Sequence, residues 1–91
     1  MTLETITSLP PEEVVRRAKG FFATRVPATG AFVERESAWH VVLRGQGNEE
    51  IVIAAAASAG GTAVRGSSLM FGQQVGRFFT TLPPAPGGEA A

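Results

Sequence analysis

The sequence predicts a small α+β domain, an antiparallel four-stranded sheet with two helices on one face in the order β-α-β-β-β-α. Three observations lead there. The 91 residues are 44% hydrophobic, ordinary for one globular domain. The apolar pattern changes from a period near 3.6 to one near 2 and back again. Proline and glycine clusters stand at each change.

The first element, over residues 2–7, mixes Thr and Ile with Leu and Glu and suits a short edge strand. Leu9-Pro10-Pro11-Glu12-Glu13 then marks a helix start: proline pre-sets φ in the first turn, and the carboxylates face the positive end of the macrodipole. Val14, Val15, Ala18, Phe21 and Phe22 follow at helical spacing with Arg16, Arg17 and Lys19 on the other side, which predicts an amphipathic helix over 11–24. Gly20 weakens that helix and is expected to let it lie close to the sheet.

Pro27, Thr29 and Gly30 supply a loop, after which strands take over. Between Ala31 and Arg44 the odd positions Val33, Trp39, Val41 and Leu43 are apolar, whereas Glu34, Glu36, His40 and Arg44 fall in the other phase. Ser37 and Ala38 form a hairpin bend within this element, and Gly45-Gln46-Gly47-Asn48 forms the next turn. Residues 49–57 alternate Ile51, Ile53 and Ala55 against Val52, Ala54 and Ala56, so both faces of that strand are apolar. Gly60-Gly61 turns the chain into a strand over 62–67. Ser67 or Ser68 then caps a second helix carrying Phe71, Val75, Phe78, Phe79 and Leu82, with Gly72 and Gly76 together on one face. Pro83-Pro84 stops it. The predicted organisation is one domain over 1–82 and a short disordered Pro/Gly/Ala tail over 83–91.

Leu9-Pro10-Pro11-Glu12-Glu13-Val14, the strand ending Gly61-Thr62-Ala63-Val64 and the final Phe-bearing helix resemble pieces of the START-like (SRPBCC, helix-grip) superfamily. Its members wrap more strands round a long C-terminal helix and hold lipids, polyketides or similar ligands in an apolar cavity. The resemblance implies a half-length, partial grip whose cavity would need two copies to complete it. It carries over no ligand residue. A TATA-binding-protein-like or other small α+β fold is the alternative on topology alone.

The residue inventory narrows the chemistry. Eight basic and eight acidic residues leave no net charge, so nothing pulls in nucleic acid or an anionic membrane, and little repulsion keeps copies apart. The seven arginines are spread along the chain and interleaved with acids, as on a mixed surface. There is no Cys, Asp or Tyr, and one His. Zinc needs three or four ligands that this set does not assemble, so neither metal nor other cofactor is expected. No signal peptide or membrane-spanning run is expected either, which makes the cytoplasm the predicted compartment, and the Arg, Ala, Gly and Pro usage resembles that of a GC-rich bacterium.

Individual candidates are weak as catalysts. His40, on the polar phase of its strand, reads as a solvated or hydrogen-bonded side chain. Glu34 and Glu36 are expected on one side of a strand about 7 Å apart, where a solvated sheet face outweighs a catalytic pair. The serines lack a nucleophile-elbow setting, and Gly45-Gln46-Gly47 lacks the third glycine and following helix of a dinucleotide loop.

The surplus is apolar: Trp39, six phenylalanines and a strand apolar on both faces exceed what one helix-on-sheet layer needs. The predicted function is therefore a non-catalytic interaction or assembly module, homo-oligomeric through its apolar sheet or bound to another protein. A binder of a small hydrophobic ligand is the alternative, and an enzyme using His40 and a glutamate comes third. The residues expected at the ligand site or interface are Trp39, Val52, Ala54, Ala56, Phe71 and Phe78.

Overall fold

A computed structural model describes residues 2–25, 32–45, 49–69 and 71–84. Five strands, β1 (Thr2–Thr7), β2 (Phe32–Glu36), β3 (His40–Arg44), β4 (Glu50–Ser58) and β5 (Gly61–Ser67), form one antiparallel sheet in the order β1-β5-β4-β3-β2. Two helices, α1 (Pro11–Gly20) and α2 (Gly72–Thr80), complete an α+β fold. The strand count corrects the expectation of four. The bend at Ser37 and Ala38 is a full reversal, closed by the Ser37 amide donating to the His40 carbonyl at 2.8 Å, so the segment expected as one element is two strands.

α1 begins where the prolines place it. Pro10 is the extended N-cap and its carbonyl accepts from the Glu13 and Val14 amides at 3.0 and 3.2 Å, while Glu12 and Glu13 sit in the first turn and Arg17 and Lys19 in the last. The helix expected over 11–24 ends as α-helix at Gly20 and continues as a π-helical turn, Phe21–Arg25. Widening to i→i+5 bonding changes the angle between successive side chains, and both Phe21 and Phe22 meet Phe78 of α2, at ring-centroid distances of 5.4 and 5.8 Å.

α1 packs on β3 and β4, α2 on β1 and β5, and these phenylalanines join the two helices over one face of the sheet. The core beneath them includes Val14, Ala18, Phe22, Val41, Leu43, Ile51, Ile53, Val64, Val75 and Phe78, all within 1% of full burial.

Close approach of helix to sheet occurs at a glycine other than the one expected. Gly20 is exposed, and a Cβ there would meet nothing within 4 Å; at Gly66 in β5 a Cβ would clash with Val75 Cγ1 and press on Ile53 and Phe79. α2 thus lies directly on the β5 backbone. Its start is held by the Ser68 hydroxyl, which accepts from the Phe71 amide at 3.0 Å.

Pro83 and Pro84, assigned to the tail by sequence, are tied to β1. Thr7 Oγ1 donates to the Pro83 carbonyl at 2.5 Å, the Ser8 amide donates to the same oxygen at 3.3 Å, and Pro84 bridges Thr7. The rest of the predicted tail, the loop expected at Pro27, Thr29 and Gly30 and positions 46–48 of the expected turn lie outside the described residues.

Candidate functional site

Strand alternation assigns each side chain to a face. Since Val41, Leu43, Ile51, Ile53, Ala55 and Val64 face the helices, the intervening positions face away. Register aligns these into rows across the sheet: Ile6–Ala63–Ala56, then Glu4–Arg65–Ala54–His40, then Thr2–Ser67–Val52–Val42. Neither helix packs on this side.

The rows make a shallow hollow of about 600 Å³ over the β1, β5 and β4 strands, lined by Glu4, Ile6, Ala54, Ala56, Ala63 and Arg65. Its floor is low because three of its members are alanines. Ile6 rises at one side and remains 44% exposed. Beside it Arg65 Nε and Nη2 both donate to Glu4 Oε2, at 3.0 and 2.7 Å. A volume of this size falls within the range of small-molecule sites, roughly 300–1,000 Å³, but the hollow is open to solvent rather than closed.

The six residues expected at a ligand site or interface are divided between the two faces. Val52, Ala54 and Ala56 lie on the bare face. Phe78 is fully buried in the core and Phe71 packs against it. Trp39 is 62% exposed at the β2–β3 reversal, where its carbonyl accepts from the Ala55 amide at 2.8 Å. The space under α2, the natural place for a ligand below a C-terminal helix, is filled by Val75 and Phe79 against Gly66 and by the buried Phe78.

The polar candidates are engaged structurally. A bulge between Val33 and Arg35 inserts Glu34 as an extra residue, so Glu34 and Glu36 do not share a side as expected. Glu34 pairs with Arg44 at 2.7 Å, and Glu36 pairs with Lys19 of α1 at 2.6 Å. The Arg44 hydrogen bond holds the Glu34 carboxyl below the usual range and raises Arg44 in return. On α1 the Arg16 hydrogen bond, followed by that of Arg17 at 3.0 Å, does the same for Glu13. Ser37 Oγ accepts from the Trp39 amide at 3.2 Å and lies 2.5 Å from His40 Nδ1. A hydroxyl accepts and donates at once, so Ser37 ties the His40 ring to the backbone and locks the hairpin bend. Among the described residues no three His, Cys, Asp or Glu side chains are grouped to hold a metal, and no helix is long and apolar enough to cross a membrane.

No protein-family model matches the chain, and no curated protein or solved structure matches it.

Ile6, Ala63, Glu4 and Arg65 are not among the residues that the sequence marks for a site. They come together because β1 pairs with β5 across about 60 positions of chain, as in the Glu4–Arg65 pair at a separation of 61. The apolar phase of Val52, Ala54 and Ala56 is the local signal for the same face.

Proposed function

We propose that the chain is a non-catalytic assembly module that self-associates through the bare face of its sheet. The observation that carries this reading is the composition of that face. Val52, Ala54 and Ala56 along β4 join Ala63 and Ile6 in one L-shaped apolar strip, and the two charges in its inner corner, Glu4 and Arg65, cancel one another. A sheet in a two-layer fold ordinarily turns a polar side to water. A surface of this kind marks a site of contact, and zero net charge leaves copies free to approach.

The sheet edges favour the face over strand addition. β2 is interrupted by its bulge and carries Glu34, Arg35 and Glu36, while the outer edge of β1 is met by Pro84 at Thr7. Bulges, charges and prolines are the usual obstacles to edge pairing.

The hollow also supports a second reading, a small hydrophobic ligand bound on the bare face, in line with the START-like resemblance. Light scattering over a range of concentrations with native mass spectrometry of the purified chain separates the two. Self-association predicts a ligand-free oligomer that dissociates on dilution, and Ala54→Glu, which sets an acid into the contact, weakens it at least tenfold. A monomer that retains a small molecule refutes assembly and supports the ligand. A monomer with nothing bound refutes both.

A further inference from the structure

We infer that acid disperses the assembly: when the His40 imidazole is protonated, the positive charge beside Ala54 drives the second copy off the bare face. This rests on the self-association reading and names how that contact is regulated.

His40 and Ala54 are directly opposed on β3 and β4, and Arg65 stands on the far side of Ala54. Adjacent strands lie about 4.8 Å apart, so a copy laid over Ala54 also reaches the partly exposed imidazole. The ring is held in place. Its Nδ1 lies 2.5 Å from Ser37 Oγ, which accepts from the Trp39 amide, and a hydroxyl can serve a neutral or a charged imidazole alike. Protonation therefore changes the charge of the face without releasing the hairpin.

A charged imidazole meets no uncommitted acid there. Among the described residues, the carboxylates on the bare face of the strands are Glu4, Glu34 and Glu50, and each is joined to an arginine. Glu4 pairs with Arg65 at 2.7 Å, and Glu34 and Glu50 pair with Arg44 at 2.7 and 3.5 Å. A second copy brings the same pairs, so its Glu4 arrives with Arg65 attached. On β2, Arg35 is opposed to Val42 and stands diagonal to His40 on the same face, about 7–8 Å away. Glu36, the next residue, turns to the helix side and pairs with Lys19 of α1 at 2.6 Å. On β4 the neighbours Val52, Ala54 and Ala56 carry no charge. Charging His40 thus adds a cation to a face whose acids are engaged, and covering it removes the water that would solvate it.

The sign follows by linkage. The associated state binds fewer protons than the separated copies, so association is strongest above the histidine range and is lost as pH falls through it. The chain has one histidine and no cysteine, and no other side-chain type ordinarily changes charge between pH 5 and 8.

The test is sedimentation equilibrium of the full chain at pH 7.5 and pH 5.5, at constant ionic strength. Wild type is expected to associate at least tenfold more weakly at pH 5.5. His40→Asn, neutral at both values and able to keep a hydrogen bond to Ser37, is expected to associate equally at the two. His40→Arg, charged at both, is expected to be weak at both. Far-UV circular dichroism of each sample separates loss of contact from loss of fold. That pattern in folded samples supports the inference. Wild-type association that is unchanged or stronger at pH 5.5, a pH dependence that survives in His40→Asn, or strong association of His40→Arg overturns it and leaves the face as the contact. A wild type monomeric at both values removes the self-association reading itself, and this inference with it.

Discussion

The two faces of the sheet are built from the same strands yet are finished differently. On the helix side, β-branched and aromatic side chains fill the space completely, to the point that β5 carries Gly66 because nothing larger fits beneath Val75. On the other side alanine replaces them, at positions 54, 56 and 63, and the surface is left low, apolar and uncovered. Large residues on one face build a core. Small ones on the other leave room for something to be laid against them.

This difference makes the expected cost of substitution depend on the face. Phe78→Ala removes a fully buried ring that touches Phe21, Phe22 and Phe79, and should cost about 3–5 kcal/mol. For a chain of this size, with a total on the order of 5–9 kcal/mol, urea denaturation should find the variant close to unfolding. Gly66→Val fails by overpacking rather than by a void, since its Cβ meets Val75 Cγ1, and about 1–3 kcal/mol is expected in the same assay. Ile6→Ala, on the bare face, should change the stability of the isolated fold by only about 0.5 kcal/mol. Its effect should appear in concentration-dependent light scattering as weaker association. An Ile6→Ala loss comparable to Phe78→Ala in a monomeric sample would erase the distinction between the faces.

Much of the helix-side architecture is legible in the sequence. Pro10, Pro11, Glu12 and Glu13 mark the start of α1, and the spacing of Val14, Val15, Ala18 and Phe22 marks its buried stripe, because a helix is specified by neighbours three and four residues apart. The reversal at Ser37 and Ala38 is visible as a bend, but its consequence, a fifth strand, depends on how sharply the chain turns. The bulge at Glu34 leaves no mark in the alternation, and it separates two glutamates that a regular strand would keep together. The close approach at Gly66, the Thr7–Pro83 bond and the row joining Ile6 to Ala63 and Ala56 all depend on long-range pairing, on which local periodicity is silent. Periodicity groups Phe71 and Phe78 with Val52, Ala54 and Ala56 for the same reason: hydrophobicity marks a residue for burial without saying on which side of the sheet.

The chain has no cysteine, so a single introduced thiol reports directly on what covers the bare face. Ala63→Cys sets it in the floor of the hollow, and Gln73→Cys sets a control on the exposed side of α2. If a second copy covers the face, maleimide labelling at position 63 should slow as protein concentration rises and recover on dilution, while labelling at position 73 stays constant. Equal, concentration-independent labelling at both positions would contradict it.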